Sequence, residues 1–201
     1  MSQEDTQPDN LLQEFDPNGD VIFVVGEGML EKERKFLVSS RVLSLASPVF
    51  AKLFSESFSE GIELKKGTCP ELSLPEDDPQ AMETIFRIAH FLKPEEVAPP
   101  MTEFPAKVAV HANKYDCMKV VAAWLTKHLY HPRLRRRQDD LDAINFGHML
   151  LSAFLLQDPE TFHALSALAQ KSMTPGNLEA WEYSGMLQPG LFPQEISGRF
   201  P

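Results

Sequence analysis

The residues that could do chemistry are few and poorly grouped. His128 and His131 stand three apart, a spacing that places two imidazoles on one helical face as a metal pair requires. Pro132 ends that helix at once, and no cysteine or carboxylate stands near enough in sequence to complete a four-ligand zinc site. His148 falls on the apolar face of its own segment and reads as a hydrogen-bonded core histidine rather than a general base. Of the two thiols, Cys69 and Cys117, the second follows Asp116, whose charge opposes thiolate formation. Gly26 and Gly28 follow a strand-like run, but no third glycine completes a dinucleotide fingerprint, and no nucleophile elbow or phosphate loop occurs. The sequence therefore predicts no catalytic residue, no cofactor and no metal.

The charge balance narrows the partners. A formal net charge of −10 and a pI near 5.1 work against nucleic acid and anionic membrane. The single basic run, Arg133, Arg135, Arg136 and Arg137, reads as a solvated linker balanced by Asp139, Asp140 and Asp142, with a nuclear-import signal as the alternative. Met149 to Leu156 is the longest nearly apolar run and falls far short of the ~20 residues that span a bilayer. Two cysteines far apart suggest no disulfide framework, and the polar, acidic start MSQEDTQPDN resembles neither a secretory nor a transit signal. The expectation is a soluble intracellular protein, cytoplasmic and/or nuclear.

The elements that would position any such group can be read in order. Residues 1–15 are expected to be disordered, and Asp16-Pro17-Asn18-Gly19 to form a turn in which Asn-Gly accepts positive φ. Val21 to Val25 and Lys35 to Val38 read as two strands of a hairpin. Val42, Leu43, Leu45, Ala46 and Val49 then recur at helical spacing. Ser47-Pro48 divides them into two short helices, because serine caps and proline suits the first helical position. Leu72-Ser73-Leu74 alternates like a strand. Asp78-Pro79 starts a helix carrying Met82, Ile85, Phe86 and Ala89, and further helices carry Val108 and Ala112, then Val121, Trp124 and Leu125. Beyond a linker at Pro132 to Gln138, Ile144, His148, Leu151 and Leu155 trace one helix, and Asp158-Pro159 opens another. The tail from Pro189 reads as irregular. The resulting organisation is a domain at 16–131, a helical extension at 132–188 and a tail at 189–201.

This order of strands and helices carries a resemblance. Gly19-Asp20-Val21-x-Phe23-Val24-Val25 looks like the first strand of a BTB/POZ domain. Phe36-x-Val38-Ser39-Ser40-x-Val42-Leu43-x-x-x-Ser47-Pro48-x-Phe50 is similar to that family's second strand and helical hairpin, and Leu72-x-Leu74 through Ala81-Met82 resembles its third strand and following helix. The likeness covers about residues 19–131, and the Val-Ser-Ser-x-Val-Leu version looks like the fungal branch. It implies an α+β fold, a small mixed sheet with surrounding helices, followed by an α-helical extension.

The resemblance also implies a non-catalytic protein–protein interaction module, for BTB-mediated assembly or as an adaptor. Cullin ubiquitin-ligase adaptors of the family use a hydrophobic-x-Glu element after the second helix, and Phe58-Ser59-Glu60 matches it in type and place. Self-association through the first strand and first helix, around Val21, Phe23 and Leu43, is the competing mechanism. A transcription-associated scaffold is the third. Members that bind corepressors carry a basic residue where Ser40 stands, facing the strand-one aspartate, and a long swapping helix of which only Leu11, Leu12 and Phe15 are present here.

Overall fold

The computed structural model describes residues 12–26, 33–94, 102–129 and 143–172. Four strands form one mixed sheet: β1 (Leu12–Glu14), β2 (Val21–Val25), β3 (Arg34–Val38) and β4 (Glu71–Leu74), in the order β1-β3-β2-β4. Strands β2 and β3 are antiparallel, with Phe23 opposite Phe36, whereas β1 runs parallel to β3 and β4 parallel to β2. The described residues add eight helices: α1 (Ser40–Ala46), α2 (Pro48–Leu53), α3 (Ser59–Lys65), α4 (Pro79–Ala89), α5 (Glu103–Lys114), α6 (Met118–Leu129), α7 (Ala143–Leu155) and α8 (Pro159–Ser172). The expected α+β architecture, with a small mixed sheet and helices at the C-terminal end, is the one observed.

The proline-marked helix starts work as local chemistry dictates. The Ser47 hydroxyl accepts from the Phe50 amide at 3.0 Å, Asp78 Oδ1 from Ala81 at 2.9 Å and Asp158 Oδ1 from Thr161 at 3.0 Å, each satisfying an otherwise orphaned donor of the first turn. Pro48 and Pro79 follow the first two caps within the first turn, where a missing N–H costs nothing. Gly26 ends β2 at φ 82°, and a Cβ there would lie 2.6 Å from the Pro79 ring, so the strand can leave the sheet only through glycine.

Three expectations need correction. Leu12–Glu14, expected to be disordered, is strand β1, and Phe15 behind it is buried and stacked on Phe36 with ring centroids 5.5 Å apart. An unpaired β3 edge is a liability, and three residues anchored by one aromatic are enough to cover it. Helix α3 is not foreseen from the sequence, since SEGIELK offers a glycine, three charges and only two apolar residues. The Asp16–Gly19 turn forms, but neither Asn18 nor Gly19 takes positive φ. Asp16 Oδ1 accepts from Asn18 N at 2.8 Å and its carbonyl from Gly19 N at 2.9 Å, while a Cβ on Gly19 would approach Leu37 Cγ to 2.6 Å. Glycine is required there for space rather than for its dihedral freedom. On α7, Ile144 is exposed although it shares the spacing of the buried His148 and Leu151. Gly28, His131, the basic run Arg133 to Arg137 and the tail 189–201 lie outside the described residues.

The chain divides into two units, Met1–Glu95 with Tyr115–Val120, and Glu96–Lys114 with Val121–Pro201. In the first, one sheet face and α1, α2 and α4 enclose an aromatic core. Phe23 stacks on Phe86 at 5.2 Å and meets Phe50 at 5.6 Å; Phe36 meets Phe86 edge-on at 5.8 Å, and Phe50 stacks on Tyr115 at 4.7 Å. In the second, α5, α7 and α8 pack around Phe146, Met149, Leu150, Leu151, Ala153, Leu165 and Ala169, with Leu129 of α6 joining them.

Candidate protein-interaction site

Helix α2 ends at Leu53, and the chain turns a corner before α3 begins. Ser55 N donates to the Lys52 carbonyl at 3.1 Å, and Phe58 N to the Ser55 carbonyl at 3.2 Å. Phe58 occupies the cap position of α3 in extended backbone, without a side chain that can cap, and its ring is 39% exposed. Glu60 sits in the first turn, where a negative charge complements the helix end, and accepts from the Ser59 hydroxyl at 2.9 Å. One turn on from Phe58, Ile62 is 45% exposed, so the two apolar side chains share a face at i, i+4.

Gly61 allows this corner to pack closely. It is buried, and a Cβ there would overlap the carbonyl oxygens of Ser55 and Phe54, which are backbone atoms and cannot step aside. The first turn of α3 therefore lies directly on the end of α2, and an ion pair from Lys65 to Glu56 adds a second tie at the surface. Phe54 anchors the corner from beneath, stacked on Phe50 at 6.2 Å and tilted against Phe23 at 6.3 Å. The outcome is a closely packed ledge on which Phe58 and Ile62 are exposed and Glu60 is half-buried.

The other candidate residues are placed differently. Val21, Phe23 and Leu43 are buried in the aromatic core and line no surface. Alternation along β2 turns Val21, Phe23 and Val25 to the same covered face, and Leu43 is the one position where α1 faces that core. On the hairpin, the outward apolar positions are Leu45, 88% exposed, and Val49. Asp20 and Ser40 do face each other, but as a hydrogen-bonded cap rather than a charged pocket. Asp20 Oδ1 accepts from the Ser40 amide and Oδ2 from the Ser40 hydroxyl, both at 2.7 Å.

Of the titratable groups, Cys117, Tyr115 and His148 are held in the interior. Burial, then the Asp116 charge, pushes the Cys117 thiol up to about 12, and burial followed by Asp20 and Glu71 raises Cys69. Neither is the thiolate a nucleophile needs. Tyr115 is raised by burial and by its hydrogen bond to the buried carboxylate of Asp77; its carbonyl accepts from Ser47 Oγ at 2.5 Å. His148 is buried, with Nδ1 3.3 Å from Thr102 Oγ1, and His128 stacks on Trp124 at 4.3 Å. Among the described residues no three His, Cys, Asp or Glu side chains are grouped to hold a metal ion, and no helix is long and apolar enough to cross a membrane.

Sequence reasoning names Phe58 and Glu60 as candidates and does not name Ile62, which the structure places one turn from Phe58. The Phe58–Ile62 spacing is the available signal, obscured because the intervening glycine argues against a helix. Comparison with known families gives one match: the model described as BTB/POZ domain covers residues 10–130. No curated protein is found to match the chain.

Proposed function

The chain belongs to the BTB/POZ domain family, whose domains mediate protein–protein interaction and assembly, and from that premise we propose that it is a non-catalytic adaptor that docks on a cullin scaffold through Phe58 and Glu60. The observation that carries this reading is the ledge itself: a part-exposed aromatic at the start of a helix whose Gly61 packs on the Ser55 and Phe54 carbonyls, with a carboxylate two residues on and Ile62 one turn further. Interface anchors are enriched in aromatic residues. Glu60 supplies an acceptor for a donor on the partner. Free thiols at Cys69 and Cys117 fit a reducing cytoplasmic or nuclear setting.

The test is binding of a purified cullin N-terminal domain to the wild-type chain and to Phe58→Ala and Glu60→Ala. Each substitution is expected to weaken binding at least about tenfold, the effect of losing an interface anchor. Undiminished binding by both variants overturns the site, and no binding by any form overturns the partner.

Self-association is the second reading, and the observation that favours it is Leu45, which stands 88% exposed on α1. With Leu43 buried, Leu45 and Val49 take over the outward role on this hairpin. Light scattering separates the two readings, because a monomer has a mass of 22.7 kDa and a dimer twice that. The corepressor-scaffold reading draws no comparable support, since Ser40 already occupies both oxygens of Asp20.

A further inference from the structure

His90 closes helix α4, and its position is fixed by backbone geometry. Its own amide donates to the Phe86 carbonyl at 3.0 Å; Phe91 N then reaches Ile88 O at 3.0 Å and Leu92 N reaches Arg87 O at 2.8 Å, the paired bonds of a Schellman ending. Phe91 takes the left-handed conformation, φ 58°, that this ending demands, although it is no glycine and its side chain is 96% exposed. The helix end is thereby set at both sides of His90.

The imidazole is committed at both nitrogens. Nδ1 lies 2.8 Å from the Phe86 carbonyl, which can only accept, so Nδ1 carries the hydrogen. Nε2 lies 3.0 Å from the Ser39 amide, which can only donate, so Nε2 offers its lone pair. Ser39 is the cap residue of α1, and its neighbours are satisfied in the same manner: Ser40 N by Asp20 and Val42 N by the Ser39 hydroxyl. The first turn of a seven-residue helix is thus held from outside, by a carboxylate and an imidazole contributed from distant parts of the chain.

We propose that His90 is an acid-sensitive clasp that ties the end of α4 to the first turn of α1. Protonation places a hydrogen on Nε2, facing the Ser39 N–H, and an imidazolium has no acceptor to offer. The hydrogen bond cannot survive, and the Ser39 amide is orphaned. The charged groups on the surrounding elements do not restore it. Asp20 is taken by Ser40, while Glu83 of α4 is bound by Arg34 of β3 at 2.6 Å and by Arg87 at 2.8 Å. Arg87 itself lies 5.3 Å over the Phe15 ring, which also lies 6.4 Å from the His90 ring and is stacked on Phe36. The clasp is whole while the imidazole is neutral and is lost when it takes a second ring proton.

Magnetic resonance on the isotope-labelled wild-type chain tests this directly, over about pH 8 to about pH 5, where histidines change charge. At the alkaline end His90 is expected as the Nδ1–H tautomer. On acidification the Ser39 amide signal should follow the His90 ring titration, and its exchange protection, referenced to intrinsic exchange at each pH, should fall by roughly fivefold or more, the population change that one net hydrogen bond supports. His90→Gln retains an acceptor that does not titrate, and in that variant the Ser39 amide should stay fixed. An Nε2–H tautomer at the alkaline end, or a Ser39 amide indifferent to the His90 titration, overturns the proposal. Both of these signals belong to the wild type, so they decide the matter even where the variant fails to fold.

Discussion

The two units solve the same problem by different means. In the first, α1, α2 and α3 have 7, 6 and 7 residues, well below the length at which a helix holds itself in water. They persist because other parts of the chain complete their ends: Asp20 and His90 for α1, Ser47 with the Tyr115 carbonyl for α2, and the Ser55 carbonyl against Gly61 for α3. In the second, α5, α7 and α8 run 12, 13 and 14 residues and bury an aliphatic stripe. The lesson is that short elements give a surface of fixed shape at the expense of self-sufficiency, whereas long ones give a core that tolerates change.

Substitutions can sharpen or break this contrast. The largest effect is expected at the sheet: Phe23→Ala removes a ring that touches Phe50, Phe54 and Phe86 and should destabilise by about 4 kcal/mol, against about 3 kcal/mol for Leu150→Ala in the second unit. Denaturant unfolding measures both, and a smaller loss at Phe23 would erase the distinction between the cores. Gly61→Ala comes next, at about 3 kcal/mol, because the added methyl must displace backbone. It should also abolish partner binding with Phe58 and Glu60 unchanged in sequence. Ser47→Ala should cost about 2 kcal/mol, since the hydroxyl both caps α2 and donates to the Tyr115 carbonyl.

A pH profile extends the series. Cys117 and Tyr115 both have their folded-state values raised, so each favours the folded chain while protonated, and that contribution is complete below the ordinary thiol value of 9.0. It is lost as the pH rises from 9.0 through about 12 for Cys117, with Tyr115 adding to the decline at the alkaline end. Tyr115→Phe should flatten the upper part of that decline in thermal unfolding; an unchanged slope would remove Tyr115 from the account. The smallest effect is expected at Leu45→Ser, within about 0.5 kcal/mol, because the side chain is almost wholly in solvent. A larger loss would mean that a second copy covers it.

What can be read from the residues follows the same division. Ser47-Pro48, Asp78-Pro79 and Asp158-Pro159 announce helices because the capping oxygen and the amide that donates to it are local. Strand β1 and helix α3 stay hidden because their stability lies in Phe15 stacking on Phe36 and in Gly61 meeting a carbonyl six residues back, neither of which has a periodic signature. At the candidate site, Phe58 and Glu60 are legible through family likeness. Val21, Phe23 and Leu43 do not reach the surface, because a β-branched and aromatic alternation marks a covered face, not an available one.

The contact between Gly61 and the Ser55 carbonyl has a kinetic consequence. Under the proposed cullin-docking reading, a corner packed this closely docks without rearranging, so substitutions of Phe58 or Ile62 should leave the association rate almost unchanged and appear as shorter residence times.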